Sequence, residues 1–416
     1  MERAEFVVVG RGLMGTACAR HLAEAGCDVV LVGPDEPVDR ASHHGPFGSF
    51  HDAARITRAI AEDPVWARLS TRSIARYRDL EARSGIPFHT PCGAMMAGPR
   101  DGPMAAFARD VLDTAARLGL RHQRLEGAAL SARAPMFTLP KGNLAAHDPS
   151  GGVIDPRAMR RAEEALAVAA GARVRARHVV AREGGTLILA DGSRLQADHV
   201  VLATGGWAAA APLTRRPAMR VYQRTVALAE VSEAEALRLA GMPSLIWVPE
   251  GGETDLYLLP PVRYPDGRLW LKIGGEAASP EARDGAALNG WFKTGGRAEA
   301  GAALLAELGR VMPDLAIRRT ATAACAVSFT ATGYPYVARI EDGVTLLTGG
   351  NGAGAKCADE LGRLGAVAAL GGDVAAEGLG ADLAPVFEPL QKRKLTETAA
   401  VVASAVRPGS AKSLNS

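Results

Sequence analysis

A chain of 416 residues is too long for one small core, so we expect two domains. Hydrophobic residues make up 48% of the chain and charged residues 22%, as in an ordinary globular protein. The formal net charge is only +3 and no lysine- or arginine-rich block stands out, which excludes a nucleic-acid footprint; we expect no nucleic-acid partner.

The cysteines and the apolar segments further narrow the class of protein. The cysteines are odd in number and scattered, so they indicate neither a disulfide framework nor a zinc site, and we expect no metal. We expect no N-terminal signal, because the first strand starts by Phe6, and no apolar run is long enough to span a bilayer. A cytoplasmic location without a membrane partner is the default prediction.

Residues 5–32 predict a strand, a glycine turn, a helix and a second strand, in that order. In this context the glycines Gly10, Gly12 and Gly15 predict a dinucleotide-binding turn. The first permits the tight turn, the second lets a pyrophosphate approach the backbone, and the third lets the helix pack on the strand. The diphosphate would lie on the free N–H groups of the helix N-terminus. A glycine turn without a ligand is the alternative.

The acidic residue that usually follows the second strand and binds a ribose hydroxyl is missing. Its place is taken by Gly33, which is followed by Pro34 and Asp35. Either Asp35 reaches back to the ribose or the ribose is held in another way.

The next segments alternate between loop and helix. Residues 34–50 are rich in Gly, Pro and Ser and predict a long connection of the kind that is often functional. An amphipathic helix is predicted over 64–84, with Pro64 in its first turn. A short strand within 86–96 and a helix over 104–118 follow.

A turn-rich hinge at 147–156 separates these elements from the second half of the chain. Helices are predicted over 157–170, 298–312 and 356–369. Strands are predicted over 173–176, 186–189, 198–203 and 344–348, and an alternating antiparallel pattern covers 219–275.

These elements predict an α/β fold. A discontinuous Rossmann-like domain would comprise 1–85, 150–215 and 325–395, and an α+β substrate domain built on an antiparallel sheet would comprise 86–149 and 216–324. Residues 405–416 are predicted to be a flexible tail.

Six separated motifs, in the same order, resemble the FAD-dependent amine oxidases of the D-amino-acid-oxidase superfamily, above all monomeric sarcosine oxidase and N-methyltryptophan oxidase. The resemblance covers nearly the whole chain and implies FAD as the cofactor. The motifs are the glycine turn at 10–15; Ser42-His43-His44-Gly45 with Arg55 and Arg58; Ala203-Thr204-Gly205-Gly206-Trp207; Leu271-Lys272-Ile273-Gly274; Cys325; and Gly349 to Lys356.

The resemblance implies roles for the basic residues. Lys272 would lie by the flavin N5 and promote electron transfer to O₂, because a nearby cation stabilises superoxide. Arg55 would be the second cation at the flavin, and Arg58 with Lys356 would clamp the substrate carboxylate. The alternative for each is an ordinary surface charge.

Further positions follow from the same resemblance. Cys325 would form an 8α-thioether bond to FAD, although a free cysteine is most often a small buried apolar residue. The resemblance implies that the cofactor-binding residues are Gly10, Gly12, Met14, Gly15, Ser42, His43, His44, Val180, Thr204, Gly205, Trp207, Cys325, Gly350, Gly352, Gly354 and Lys356.

Departures from the family pattern concern the substrate pocket. Val327 replaces a Tyr and Glu276 replaces a His, which makes sarcosine itself doubtful, whereas Tyr257 matches an aromatic residue of the pocket. A carboxylate at Glu276 would attract a second cationic group on the substrate. Residues 46–53 contain extra positions and are predicted to line or cover the pocket.

The resemblance therefore implies an oxidase of a secondary (N-methyl) or cyclic amino acid. A hydride equivalent would pass to flavin N5, the imine would hydrolyse, and O₂ would become H₂O₂. The alternatives are a flavin-dependent dehydrogenase that uses a quinone or partner subunit, a flavin-binding subunit with a structural or regulatory role, and an NAD dehydrogenase.

Overall fold

The computed structural model describes residues 1–250, 255–275 and 279–389, which form two large β-sheets, one small sheet and their covering helices. The strands are β1 (Glu2–Val9), β2 (Val29–Val32), β3 (Arg55–Thr57), β4 (His89–Thr90), β5 (Ala94–Pro99), β6 (Gln123–Glu126), β7 (Asn143–Asp148), β8 (Gly152–Ile154), β9 (Arg173–Arg175), β10 (Val179–Glu183), β11 (Thr186–Leu189), β12 (Arg194–Leu202), β13 (Met219–Val231), β14 (Ser244–Trp247), β15 (Leu256–Arg263), β16 (Leu269–Gly274), β17 (Arg319–Thr330), β18 (Tyr336–Glu341) and β19 (Val344–Thr348). The helices are α1 (Leu13–Glu24), α2 (Pro64–Ser84), α3 (Ala106–Arg117), α4 (Gly127–Arg133), α5 (Pro156–Ala169), α6 (Trp207–Ala210), α7 (Glu233–Arg238), α8 (Gly285–Phe292), α9 (Ala298–Val311) and α10 (Ala358–Ala369).

The first sheet is built around the parallel strands β2, β1, β12 and β19. The strand order is β10-β11-β12-β1-β2-β9. In addition, β19 pairs with the carboxyl end of β12, and β18 pairs with β19. The second half of β1 and all of β2 are apolar and buried on both faces. One face packs on the helices α1 and α10, and the other belongs to a second core formed by residues of β11, β12 and β19. Leu22 of α1, Leu31 of β2 and Leu361 of α10 share one buried core.

Two of the covering helices begin where the sequence predicts. Asp63 caps α2 by accepting hydrogen bonds from the backbone N–H of Val65 (2.8 Å) and Trp66 (3.2 Å). Asp155 caps α5 in the same way, and each helix has a proline in its first turn. The helix predicted over 64–84 is confirmed, and the helix predicted over 157–170 begins one residue earlier.

A buried ionic cluster joins the helices behind the first sheet. Arg20 of α1 donates hydrogen bonds to Glu163 of α5 (2.5 Å) and to Asp359 of α10. Arg76 of α2 donates to Asp359 (2.5 Å) and to Glu360 (2.6 Å). The three carboxylates are fully buried, so the arginines compensate charges that water cannot reach.

The second sheet has the order β17-β13-β16-β15-β14-β5-β7-β6 and is antiparallel except between β14 and β5. In its ladders Arg224 of β13 lies opposite Cys325, and Leu228 lies opposite Lys272. Paired residues share a face and every second residue returns to it, so Cys325 and Lys272 project from the same face of this sheet. A small third sheet joins β3, β8 and β4.

The predicted α/β class is confirmed by the parallel first sheet and its helices. The strands predicted in 86–96 and 219–275 are present, whereas the sequence pattern did not indicate β17. The domain boundaries stay a prediction; the one placed at residue 325 falls inside β17. The predicted tail at 405–416 lies outside the described residues.

Candidate active site

A cavity of about 970 Å³ lies between the two large sheets. The carboxyl ends of β1 and β2 and the turn after β12 form one side, where open α/β sheets bind ligands. Residues of β13, β15 and β17 form the other side, and the glycine loop 349–355 closes it together with Lys356.

The glycine turn after β1 is packed too closely for side chains. Gly10 has φ +118°, and a Cβ there would lie 2.2 Å from the carbonyl oxygen of Ala203. A Cβ at Gly15 would lie 1.8 Å from the carbonyl oxygen of Gly10. A Cβ at Gly12, in contrast, would first meet Phe50 at 3.7 Å, so this backbone faces the cavity.

At the cavity the start of α1 lacks a side-chain cap. Its N-cap residue Gly12 makes no side-chain hydrogen bond, unlike the caps of α2 and α5. The start of α10 differs, because Ser73 Oγ accepts a hydrogen bond from the Glu360 N–H at 3.0 Å. The loop before α10 approaches α1 closely, since a Cβ at Gly354 would lie 2.8 Å from Cε of Met14. The free N–H groups at the start of α1, which face a cavity of this volume, fit a dinucleotide with its two phosphates. The residues present therefore fit FAD.

The end of the cavity beyond β2 differs from the usual ribose site. Asp35 accepts a hydrogen bond from the Arg11 guanidinium and is not among the described residues that line the cavity. Arg11 also donates to Glu164, and a Cβ at Gly33 would lie 2.6 Å from Arg11 Cβ. Of the two arrangements left open by the sequence, this favours a ribose held in another way.

The predicted cofactor residues fall into two groups. Gly15, Ser42 and His43 are not among the lining residues of the cavity; Ser42 N–H donates to Asp39 (3.2 Å), and His43 packs edge-on against Phe47. The other predicted cofactor residues line the cavity; they are Gly10, Gly12, Met14, His44, Val180, Thr204, Gly205, Trp207, Cys325, Gly350, Gly352, Gly354 and Lys356.

Lys356 is buried and Arg58 is half-buried at the cavity wall. Lys356 Nζ lies 3.2 Å from Ser70 Oγ and 5.8 Å from the centroid of the Trp66 ring. Burial, reinforced by the neighbouring Arg58 cation, lowers the pKa of Lys356 to about 8. Arg58 donates to the carbonyl of Ile60, but its Nε is buried without a hydrogen-bond partner among the described residues, and burial lowers its pKa.

Arg55 and Cys325 meet on the sheet side of the cavity. Arg55 Nη2 lies 3.7 Å from Cys325 Sγ and 2.8 Å from the carbonyl oxygen of Ser49. The Cys325 carbonyl accepts a hydrogen bond from Trp291 Nε1 at 2.6 Å. The structure thus brings two of the predicted flavin-site residues together.

Lys272 is fully buried and is not one of the lining residues of the cavity. Its Nζ donates to Asp52 Oδ2 at 2.8 Å and to the carbonyl oxygen of Ala54. Burial and the nearby Arg55 cation both lower the pKa of Lys272. The sequence analysis did not single out Asp52; its one signal was its place in the extra residues before Arg55.

The predicted substrate residues are distributed unevenly. Tyr257 lines the cavity, and its ring lies over Gly274, where a Cβ would be 2.3 Å from Tyr257 Cζ. Burial raises the pKa of Tyr257. Val327 also lines the cavity, and so does Arg224, which the sequence analysis missed. Glu276 lies outside the described residues.

Residues 5–367 match the family model described as "DAO: FAD dependent oxidoreductase". The chain belongs to this family. The match covers both glycine-rich loops and every described residue discussed above as lining the cavity.

The chain is similar to monomeric sarcosine oxidase from Bacillus sp. (strain B-0618), with 32% identity over 171 residues, covering 41% of this chain and 42% of that protein. N-methyl-L-tryptophan oxidase from Yersinia pestis (strain Pestoides F) is 26% identical over 151 residues, 36% of this chain and 38% of that protein. The alignments thus span about two fifths of these relatives.

Solved structures show the same fold. NikD, described as an unusual amino acid oxidase essential for nikkomycin biosynthesis, superposes with a TM-score of 0.71 at 21% identity, covering 94% of this chain and all of its own (100%). L-proline dehydrogenase from P. horikoshii superposes with a TM-score of 0.69 at 19% identity, covering 88% of this chain and 93% of its own.

A metal-binding group and a membrane-spanning helix are both absent from the described residues. No group of histidine, cysteine, aspartate and glutamate side chains there is arranged to hold a metal ion. No helix in that part of the chain combines the length and apolar character needed to cross a bilayer.

Proposed function

We propose that this protein uses FAD to oxidise the C–N bond of a secondary (N-methyl) or cyclic amino acid. The observation that carries the proposal is the pair of cations formed by the half-buried Arg58 and the buried Lys356, which lies at the wall of a cavity that also contains the uncapped start of α1. Buried cations require an anionic partner, and the carboxylate of an amino acid supplies one.

The overall reaction balances without a further reactant. The substrate breaks one C–H and one N–H bond, gives up two protons and two electrons in all, and becomes an imine; O₂ takes up the two protons and two electrons as H₂O₂. Water then hydrolyses an acyclic imine to a carbonyl compound and an amine. FAD, when bound, supplies the electron-accepting group between substrate and O₂.

The side chains of the cavity have separate tasks in this proposal. Arg58 binds the substrate carboxylate in a directed manner, and Lys356 adds a point charge. Their positive charge also favours the neutral form of the substrate amine, which is the form that is oxidised. Tyr257 and Val327 form the wall of the substrate pocket.

We propose that Cys325 attaches FAD covalently at its 8α carbon. Its sulfur lies at the cavity wall, 3.7 Å from the Arg55 guanidinium. Forming the S–C bond breaks the S–H bond and one C–H bond of the 8α methyl group; the two protons and two electrons released are accepted by O₂ as H₂O₂.

A dehydrogenase that uses a quinone or a partner subunit is the second candidate. It is favoured by the position of Lys272, whose ammonium group is hydrogen-bonded to Asp52 and Ala54 behind the cavity wall. The two candidates differ in what accepts the electrons, so O₂ consumption and H₂O₂ formation during turnover separate them.

The test uses the isolated holoenzyme with a panel of N-methyl and cyclic amino acids. An oxidase consumes one O₂ and releases one H₂O₂ for each amine oxidised. Turnover that needs an added quinone and yields no H₂O₂ would contradict the oxidase and establish the dehydrogenase. The cytoplasmic location stays a prediction.

A further inference from the structure

The carboxylate of Asp52 is the centre of a hydrogen-bonded cluster behind the cavity wall. Its Oδ2 accepts hydrogen bonds from Lys272 Nζ (2.8 Å) and from the Arg55 guanidinium. Its Oδ1 accepts from Tyr264 O–H at 2.9 Å and from the Ala53 N–H at 2.7 Å. Both carboxylate oxygens are therefore occupied and the side chain is fixed.

The position of Asp52 in the chain explains how it reaches these partners. It lies at the end of the connection 34–54, immediately before β3, whereas Lys272 belongs to β16 and Tyr264 follows β15. The carboxylate thus ties the loop that borders the FAD cavity to the second sheet. Arg55 is the next charged residue along the chain and points from the same cluster to Cys325.

The carboxylate of Asp52 compensates the charge of two neighbouring cations, Lys272 and Arg55. Lys272 is fully buried, and an ammonium group without water needs a charged or strongly polar partner. Arg55 is a second cation close by, and its repulsion disfavours a proton on Lys272. Arg157 also faces the cluster, but its guanidinium is engaged by Glu36 at 2.6 Å. Asp52 is the carboxylate in direct contact with both Lys272 and Arg55.

We propose that Asp52 is a positioning residue that holds the Lys272 ammonium group beside the Arg55 guanidinium at the rear of the cavity wall, so that O₂ reduction depends on Asp52 as much as on Lys272. This inference rests on the proposed function. It assigns Asp52 no contact with substrate or cofactor, because its oxygens are taken by the protein.

The first test measures flavin reoxidation directly. Holoenzyme is reduced with dithionite instead of substrate, so the result does not depend on which amine is the natural substrate, and is then mixed with O₂. We expect Lys272→Met to slow reoxidation about 100-fold, the usual effect of losing one preorganised charged group. Asp52→Asn should slow it to a similar degree, and the double variant should be no slower than Lys272→Met.

A matched control separates this effect from general destabilisation. Asp63→Asn removes another half-buried carboxylate, which caps α2 and accepts a hydrogen bond from Tyr334. Asp63 makes no contact with the Asp52 cluster described above. It should lower the unfolding midpoint and leave reoxidation at the wild-type rate.

A second test uses the apoprotein and needs no catalysis. In urea unfolding, Asp52→Asn should lower the midpoint strongly in the wild-type background and much less in the Lys272→Met background, since the carboxylate then has one buried cation fewer to compensate. Equal shifts in both backgrounds would show that the two side chains are not coupled and would overturn the proposal.

The kinetic outcomes are also distinct. Fast reoxidation of Asp52→Asn beside slow reoxidation of Lys272→Met would overturn the role of Asp52 and leave the proposed function intact. Wild-type reoxidation of Lys272→Met would overturn the role of Lys272, and with it this inference.

Discussion

Arg55 Nη2 lies 3.7 Å from Cys325 Sγ, although the two residues belong to different sheets. The guanidinium is anchored to Asp52 and to the carbonyl oxygen of Ser49, so its position beside the sulfur is fixed. A cation is therefore held next to the sulfur that would bond to FAD.

Covalent attachment through Cys325 can be tested by acid precipitation. We expect yellow flavin in the washed pellet of the wild-type protein and free FAD in the supernatant of Cys325→Ser. Arg55→Met should slow attachment when apoprotein is reconstituted with FAD, by about tenfold or more, because the cation held beside the sulfur is lost. Cys92→Ser is the control and should retain flavin in the pellet. Free FAD from the wild-type protein would reduce Cys325 to a packing residue.

Arg58 should act mainly in substrate binding. Replacing it with Leu removes a charge-assisted contact with the substrate carboxylate, which is worth about 1.5–3 kcal/mol, so KM should rise roughly 10- to 100-fold. The KM of Arg58→Lys should lie between those of the wild-type protein and Arg58→Leu, because lysine keeps the charge but loses the paired geometry of the guanidinium. A substrate analogue without the carboxylate should be oxidised equally by all three proteins; a preserved preference for the carboxylate in Arg58→Leu would contradict this role.

Lys356 should give substrate binding a pH dependence. With a pKa of about 8, it is charged below that pH and loses its proton as the pH rises through it. The substrate amine titrates in the same range, so the informative quantity is kcat/KM relative to Lys356→Arg, which stays charged. This ratio should fall about tenfold between about pH 7 and about pH 9.5. A constant ratio would show that Lys356 stays charged or does not touch the substrate.

Glu163 should make stability fall with pH. Burial raises its pKa to about 7, despite the contact with Arg20, whereas the unfolded chain releases the proton near 4.5. Between these values the unfolded state binds fewer protons, so the free energy of unfolding decreases as pH rises, by a total on the order of 3 kcal/mol. Urea unfolding at several pH values should show a shallower slope for Glu163→Gln than for the neighbouring control Glu164→Gln.

Position 354, in the glycine loop before α10, should tolerate no side chain. A Cβ at Gly354 would lie 2.7 Å from Gly350 Cα and 2.8 Å from Met14 Cε, so Gly354→Ala must displace the loop from α1. Overpacking of this kind costs about 1–3 kcal/mol, and we expect FAD affinity to fall by roughly 10- to 100-fold in apoprotein titrations. Gly241→Ala, where a Cβ meets no atom within 4 Å, should bind FAD normally.

The sequence predicted best those helices and turns whose bounds are determined by residues close in the chain. Helices α2 and α5 were placed within a residue because a proline and the preceding aspartate mark their starts. The strand–turn–helix around Gly10 was equally clear, since each glycine has a local geometric reason. The strand β17 was missed because it pairs with β13, whose residues lie about one hundred positions away in the chain.

In the candidate site, too, residues in recognisable motifs were predicted, and a residue defined by distant contacts was not. Motif resemblance pointed to Arg58, Lys356 and Cys325, and the structure places all three at one cavity. The role of Asp52 could not be predicted, because its partners Tyr264 and Lys272 are more than two hundred residues away in sequence. Lys272 itself was expected at the flavin, and only the structure shows the carboxylate to which it is bound.

The central claim is that a flavin in this cavity takes electrons from a secondary or cyclic amino acid. The most direct measurement is anaerobic mixing of the holoenzyme with a panel of such amino acids while the visible flavin absorbance is recorded. The account predicts that at least one of them bleaches the flavin, and that Arg58→Leu needs a much higher concentration for the same effect. A flavin that dithionite bleaches but that no member of the panel reduces would contradict the account.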